Sequence, residues 1–190
     1  MRQLVGVAWA TAIAAAVAAC GGSTSTLGGA ANGAQVNGTV DGVTMTVVDQ
    51  VGVSGTVTTN GSTGSYAGAV ITNIAGTCSV VQSHANPPNA QALSLVVYGS
   101  GTTVGPGTYT VGSTAVSGAQ VTFAAQDAMC TSTASADATG GTVTLSVVNG
   151  TSIEGSFDVT FGSDHVSGTF DAPVCAVPTT TGTTTPPCGG

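Results

Sequence analysis

The clearest pattern in the chain is an alternation of apolar and mostly hydroxyl-bearing residues over positions 141–175. A period of two with one apolar face is typical of a half-buried β-strand. The stretch therefore predicts three consecutive antiparallel strands. Their apolar faces are formed by Val143, Leu145 and Val147 in the first, by Ile153, Phe157, Val159 and Phe161 in the second, and by Val166, Gly168 and Phe170 in the third.

The apolar faces also predict how the second and third of these strands pair. Placing Phe157 opposite Phe170 and Phe161 opposite Val166 keeps every apolar side chain on one face, whereas a slip of one residue would not. This register leaves residues 162–165 as a four-residue loop.

The turn between the first and second strands combines two conflicting signals. Asn149-Gly150 favours a two-residue type I′ hairpin, but that turn would set Ser146 opposite Ile153. Pairing Val147 with Ile153 restores the apolar face and needs either a three-residue loop or a bulge beside the turn. We expect burial to outweigh the local turn preference.

The earlier part of the chain repeats the strand pattern less regularly. The run at 92–98 is the most hydrophobic and is a candidate central strand, whereas Pro87 and Pro88 place residues 84–89 in a loop. With no helical period outside the leading segment, the pattern predicts an all-β fold, an antiparallel β-sandwich of about nine short strands, with a flattened β-barrel as the alternative. The other predicted strands lie at 36–40, 44–48, 51–58, 66–74, 108–111, 119–126 and, less clearly, 131–136.

The leading segment predicts export and lipidation. A short basic start at Arg2 precedes an uncharged apolar run over residues 4–17, which is typical of a secretory signal. The sequence Val17-Ala18-Ala19-Cys20 resembles the lipobox of bacterial lipoproteins, with a plain signal peptide and a chance cysteine as the alternative. The resemblance implies that residues 1–19 are removed and that acylated Cys20 anchors the mature chain, since several acyl chains anchor a protein stably. Gly21 resembles the residue found in lipoproteins passed on to the outer membrane.

Composition divides the remaining chain into three parts. Residues 20–35 are rich in Gly, Ser, Thr, Ala and Asn and predict a flexible tether. Residues 36–175 carry the strand pattern and predict one β-sandwich domain, in which the phenylalanines and Tyr66, Tyr98 and Tyr109 are expected to pack. Residues 176–190 form a Thr/Pro-rich tail without a packable face.

The charge of the chain excludes several functions. Arg2 is the only basic residue apart from two histidines, against eight carboxylates. Without Lys or Arg in the mature chain there is no basic patch for nucleic acid and no lysine or arginine to bind phosphate. We therefore expect no nucleic-acid partner and no cofactor, and the sequence names no protein or glycan partner.

Four cysteines follow Cys20, and an even set in an exported domain predicts two disulfides. Of the three possible pairings we favour Cys78–Cys130 within the domain and Cys175–Cys188 closing the tail. The cysteines are dispersed and none has CxxC spacing, so neither zinc binding nor thiol redox chemistry is favoured.

The best candidate site is the outward face of the last hairpin. In the register above, Asp171 lies opposite Ser156 and diagonal to both Glu154 and Asp158, about 7–8 Å from each. Carboxylates at this separation can hold Ca²⁺ or act as an acid/base pair, although a solvated polar face is the more ordinary interpretation.

The two histidines add little to this chemistry. His84 and His165 are expected in solvated loops, and no serine lies in a G-x-S-x-G motif that would mark a nucleophile. Asp164 beside His165 is a weaker candidate for a metal-binding corner.

A family resemblance joins these observations. The lipobox, the sequence DAMC at 127–130 and the sequence GTVTL…GSFDVTFG…VSGTFDAPVC at 141–175 resemble a group of lipoproteins from Gram-negative bacteria whose activity is not known. The resemblance implies no catalytic residue. We therefore expect an envelope-anchored, non-catalytic binding, adhesion or structural module, with a carboxylate hydrolase or a calcium-dependent surface binder as alternatives.

Overall fold

A computed structural model describes residues 33–59, 62–101, 103–112, 118–176 and 187–189. The predicted signal peptide, Cys20, most of the tether and most of the tail lie outside these residues. No helix within the described ranges is long and apolar enough to cross a membrane.

Alternating sequence produces strands throughout the described part of the chain, which holds eleven strands and one short helix. The strands are β1 (Gln35–Val40), β2 (Val43–Thr44), β3 (Asp49–Thr59), β4 (Ser62–Thr72), β5 (Gln91–Gly99), β6 (Gly107–Thr110), β7 (Gly118–Gln126), β8 (Ser132–Asp137), β9 (Gly140–Val148), β10 (Ser152–Phe161) and β11 (Asp164–Pro173). The helix is α1 (Thr77–Ser83).

The strands form two antiparallel sheets. The six-stranded sheet has the order β2-β1-β11-β10-β9-β6, and the five-stranded sheet has the order β3-β4-β5-β7-β8. Within the described residues the two sheets remain open and are joined only at isolated bridges, Val111 with Ala119 and Gly52 with Val174, so the predicted β-sandwich is confirmed over the flattened barrel. The hydrophobic run at 92–98 lies in β5, the central strand of its sheet, as predicted.

The core lies between the sheets and takes alternate residues from each. Because strand side chains point to opposite faces in turn, one face of every long strand supplies the core. All four phenylalanines are buried, as expected from their positions on the apolar faces. The largest fully buried side chains include Ile71, Leu93, Leu95 and Phe123 from the five-stranded sheet and Val143, Leu145 and Ile153 from the six-stranded sheet.

Two phenylalanines of the core pack over glycines of the neighbouring strand. Phe157 on β10 is directly opposite Gly168 on β11, and Phe170 on β11 is directly opposite Gly155 on β10. A Cβ atom added at Gly168 would lie 2.6 Å from the Phe157 ring, and one added at Gly155 would lie 2.7 Å from the Phe170 ring. Each ring therefore occupies the space that a side chain on the opposite strand would fill. We call these the aromatic–glycine pairs.

The predicted pairing of Phe157 with Phe170 is wrong by two residues. Phe161 pairs with Asp164, so the connection between β10 and β11 is a two-residue turn at Gly162 and Ser163. Gly162 has φ +63°, as the first central position of a type II′ hairpin turn requires. A shift of two residues leaves every side chain on the same face, which is why the apolar pattern fits both registers.

The connection between β9 and β10 contains the expected bulge, but with a different partner for Ile153. Ile153 pairs with Val148, Glu154 pairs with Val147, and the register shifts between Glu154 and Gly155. The predicted pair of Val147 and Ile153 is therefore wrong. Val148 packs against the core in place of Val147. The side chain of Asn149 organises the longer turn by accepting hydrogen bonds from the amides of Thr151 and Ser152 at 2.8 and 2.9 Å.

Helix α1 was not predicted from the sequence. It spans seven residues, which is too short to show a helical period or to be stable alone. Its first amide, that of Thr77, donates to Asp49 Oδ2 at 2.9 Å. The helix packs on the outer face of β3 and β4, where Val51, Val53 and Val70 form a small second core.

Two disulfides are present as predicted, but the predicted pairing is wrong. Cys78 bonds to Cys175, and Cys130 bonds to Cys188, each with a Cα–Cα distance of 5.6 Å. After β11 the chain continues along β3, where the Cys175 amide donates to the carbonyl of Gly52 at 2.9 Å. This path takes Cys175 to α1 instead of to the tail.

The other disulfide fixes the end of the tail to the domain. Residues 187–189 lie beside the loop of residues 84–90, where the Gly189 amide donates to the carbonyl of Asn86 at 2.9 Å. Cys130, in the turn after β7, is close to this loop because the Asn89 amide donates to the carbonyl of Asp127 at 2.9 Å. The turn that contains Cys130, the loop of residues 84–90 and the chain end at Cys188 are far apart in sequence. The spacing of the cysteines therefore gave no indication of this disulfide.

Candidate functional site

The outer side of the six-stranded sheet is a polar surface that contains the predicted site. Its side chains alternate with the core residues and are exposed or half-buried. They come from β9, β10 and β11: Thr142, Thr144, Glu154, Ser156, Asp158, Thr160, His165, Ser167, Thr169 and Asp171. We call this surface the polar face.

The three predicted carboxylates do not converge on the polar face. Asp171 pairs with Glu154, and Asp158 pairs with Ser167. Glu154 and Asp158 are four positions apart on β10, which is about 13 Å along an extended strand. The predicted position of Asp171 opposite Ser156, between Glu154 and Asp158, is therefore wrong. The two-residue turn after β10 shifts Asp171 by two residues, so that it lies opposite Glu154.

Asp158 instead contacts a histidine. His165 Nε2 lies 2.8 Å from Asp158 Oδ1, in a diagonal arrangement across β10 and β11. His165 lies within β11 and not in the predicted loop, again because the turn has only two residues. The His165 and Asp158 side chains are 57% and 69% exposed, and an ion pair this exposed adds little to stability.

The predicted metal-binding corner at Asp164 and His165 does not form. Asp164 Oδ2 accepts a hydrogen bond from the amide of Asp41 at 2.8 Å, in the turn between β1 and β2. Because neighbouring residues of a strand point to opposite faces, His165 is directed to the polar face and Asp164 away from it. Within the described ranges, no three His, Cys, Asp or Glu side chains are grouped so that they could hold a metal ion.

The other predicted histidine, His84, ends helix α1 in a left-handed conformation with φ +54°. Its amide donates to the last turn of the helix, to the carbonyl of Val81 at 3.4 Å. The residue is exposed, and its backbone caps the C-terminal end of the helix.

The outer side of the five-stranded sheet carries a tyrosine pair. Tyr66 on β4 is directly opposite Tyr98 on β5 and is only 7% exposed. A Cβ atom added at Gly55 would lie 2.7 Å from the Tyr66 hydroxyl, so this ring also packs over a glycine. Burial raises the pKa of Tyr66, with a smaller contribution from the charge of Tyr98, and burial raises the pKa of Tyr98.

The tyrosine pair predicts a loss of stability at high pH. In the unfolded chain tyrosine loses its proton at about pH 10, whereas the raised pKa values keep both phenols protonated in the folded protein. The unfolded state then binds fewer protons than the folded state, so the free energy of unfolding falls as the pH rises above about 10. Below that pH the contribution of the pair is fully present.

Denaturant titrations from pH 8 to pH 11 measure this effect. We expect Tyr98→Phe to lose less unfolding free energy over this range than the wild type, because phenylalanine does not ionise. An equal alkaline loss in the two proteins would show that the tyrosine pair is not its cause.

A small cavity lies at one end of the sandwich. Its volume is about 10 Å³, about the room that one water molecule needs. Its lining is apolar apart from Thr39 and consists of Val36, Gly38, Thr39, Val40, Val43, Met45, Leu93, Phe123 and Val166. A cavity of this size holds no organic ligand.

Comparisons with models of known protein families, with curated proteins and with solved structures found no match to this chain. The polar face therefore has to be interpreted from its own residues. The apolar pattern alone does not indicate the contact of Asp158 with His165, because it predicts a four-residue loop that would contain His165. The signal that indicates it is Gly162-Ser163, a dipeptide of the type that forms two-residue hairpin turns.

Proposed function

We propose that this protein is an envelope lipoprotein whose β-sandwich is a non-catalytic binding, adhesion or structural module. The observation that carries the proposal is the presence of two disulfides in a chain whose Cys20 follows a secretory-type segment. Disulfides persist in oxidising compartments outside the cytoplasm, and they are rare inside it. Lipidated Cys20 would hold the sandwich at a membrane, with the outer membrane of a Gram-negative bacterium as the favoured site.

The arrangement of titratable groups supports a non-catalytic role. Catalytic acids and bases are usually held in a concave site, where burial and neighbouring charges tune their pKa values. The contact between Asp158 and His165 instead lies on the exposed side of a sheet. Glu154 and Asp171 stand apart from this contact along the strands.

The polar face is the surface that we propose a partner would meet. It is formed by three adjacent, hydrogen-bonded strands, in which β10 and β11 pair without interruption and β9 and β10 pair with one bulge at Glu154 and Gly155, so the positions of its hydroxyl and carboxylate groups are set by the backbone. Both alternative functions, a carboxylate hydrolase and a calcium-dependent binder, depended on pairs of carboxylates on this face. The register keeps one such pair, because Asp171 lies directly opposite Glu154, while Asp158 contacts His165 instead. Neither alternative is preferred, because no third His, Cys, Asp or Glu of the described residues joins that pair to form a metal-binding group.

Metabolic labelling tests the lipid anchor. The full chain would be expressed in a Gram-negative host supplied with a clickable fatty acid. We expect the wild type to carry the label and to fractionate with membranes, and Cys20→Ala to lose both properties because the acylated sulfur is gone. Ser23→Ala is the matched control in the same segment and should retain the label.

Two outcomes would contradict the proposal. A wild-type protein without fatty acid would remove the anchor. Turnover of an ester or glycoside substrate that disappears in Asp158→Asn, with the fold unchanged, would replace the non-catalytic module with an enzyme.

A further inference from the structure

We propose that the disulfide between Cys130 and Cys188 is a redox-labile latch, which a dithiol reductant opens while the disulfide between Cys78 and Cys175 and the sandwich stay intact. Opening this latch would release the chain end from the loop of residues 84–90. The proposal concerns the described residues around each disulfide and does not depend on the proposed function.

The two disulfides differ in how easily a thiolate can reach them. Cys188 is exposed and its partner Cys130 is half-buried. In the other bond Cys78 is half-buried, and Cys175 is only 5% exposed and packs with the apolar side chains of Val51, Val53 and Val70. Since thiol–disulfide exchange requires direct attack on a sulfur atom, access favours the bond to Cys188.

The two disulfides also differ in what they hold. The bond to Cys188 fixes residues 187–189, which meet the domain at an isolated β-bridge between Cys188 and Asn86, where the Gly189 amide donates to the carbonyl of Asn86 at 2.9 Å. The bond to Cys175 fixes α1 over the second core of β3 and β4. Breaking the first bond therefore disturbs an exposed chain end, and breaking the second disturbs packed residues.

The structure around Cys130 is maintained by contacts other than the disulfide. Asp127 Oδ1 accepts hydrogen bonds from the amides of Met129 and Thr131 at 2.8 and 2.9 Å, which fixes the turn on both sides of Cys130. The facing loop of residues 84–90 is held by a separate contact, in which Gln126 Nε2 at the end of β7 donates to Asn86 Oδ1 at 2.9 Å. These contacts would remain after reduction, so the opening is local.

The reaction proceeds in two exchange steps. A thiolate of the dithiol attacks the exposed Sγ of Cys188, a mixed disulfide forms, and the sulfur of Cys130 leaves as a thiolate that takes a proton from water. The second thiol of the reagent then attacks the mixed disulfide, which releases the Cys188 thiolate and leaves the reagent as a cyclic disulfide. Two electrons pass from the dithiol to the protein disulfide.

Opening the latch changes how the chain end is attached. With both bonds formed, the chain beyond β11 is fixed at Cys175 and again at Cys188. After reduction only the attachment at Cys175 remains, and the Cys130 thiol lies next to Met129, which is 79% exposed. A disulfide oxidant would close the latch again by exchange, taking the two electrons and leaving as its own dithiol.

Limited reduction of the native full chain tests the proposal. The protein would be treated with dithiothreitol for increasing times, quenched with an alkylating reagent and digested for mass spectrometry. We expect Cys130 and Cys188 to be alkylated at least about tenfold faster than Cys78 and Cys175, because the first bond has one cysteine exposed to solvent, whereas the second joins a half-buried cysteine to a buried one and is harder for a thiolate to reach. Circular dichroism should show an unchanged β-sheet signal when only the first pair is modified.

Hydrogen exchange supplies an independent measurement. In Cys130→Ser/Cys188→Ser we expect the Gly189 amide to lose its protection while the amides of β5 and β7 keep theirs. Simultaneous reduction of the two disulfides, earlier reduction of Cys78 and Cys175, or loss of protection in β5 and β7 would each overturn the latch.

Discussion

Replacing Phe157 with alanine is expected to lower the free energy of unfolding by about 3–5 kcal/mol, the range for a buried phenylalanine. The side chain is 3% exposed and lies in the main core. The loss should fall near the upper end of this range because Gly168, directly opposite, has no side chain that could move into the vacated space. Equilibrium unfolding in urea, followed by circular dichroism, measures the change.

Val48→Ala is the matched control for this substitution. Val48 is also a large apolar residue but is exposed, so its truncation should change the unfolding free energy by no more than about 0.5 kcal/mol. A similar loss in the two variants would mean that Phe157 is not a core residue and that the register of β10 and β11 is different.

Removing the disulfide between Cys78 and Cys175 is the second change with a large expected effect. The bond links residues 97 positions apart, and loss of a native disulfide from a small secreted domain costs about 2–5 kcal/mol. Cys78→Ser/Cys175→Ser should lie in the upper part of that range because it also places a hydroxyl group among Val51, Val53 and Val70. Urea unfolding of the double variant measures the loss.

Cys130→Ser/Cys188→Ser is the comparison for the second disulfide. It removes a crosslink over 58 positions, so in the chain-entropy model the loss should be only slightly smaller. We expect the free energy of unfolding to fall clearly less than in the Cys78 and Cys175 variant. The released chain end regains conformational freedom in the folded state, and its release leaves no cavity among packed side chains. A larger loss than in the Cys78 and Cys175 variant would contradict this comparison.

The alternation of side chains was sufficient to predict the sandwich but not its pairing. The apolar faces of β9, β10 and β11 follow directly from positions such as Leu145, Phe157 and Phe170, all of which are buried. Register is less determined, since a shift by two residues preserves both faces. The two-residue turn at Gly162 and Ser163 determines the register of β10 and β11. The register in turn determines which residues lie next to Asp158 and Asp171 on the polar face.

Long-range contacts explain the other differences. Helix α1 is stabilised by Asp49 and by the disulfide from Cys78, neither of which is a local signal. The disulfide partners depend on where the chain passes after β11, and Cys175 reaches α1 only because it follows β3 past Gly52. Spacing along the sequence contains no information about such a path.

The aromatic–glycine pairs have a consequence for how this sequence can vary. In each pair, the ring on one strand fills the space above the glycine on the other strand. The pairs are Phe157 with Gly168 and Phe170 with Gly155. A side chain gained at Gly168 would meet the backbone oxygen of Gln35 as well as the Phe157 ring, and one gained at Gly155 would meet the backbone oxygen of Thr144 as well as the Phe170 ring, so a smaller ring alone would not make room for it. Each glycine is therefore required by two neighbouring strands at once, and a redesign of either ring has to leave the glycine opposite unchanged.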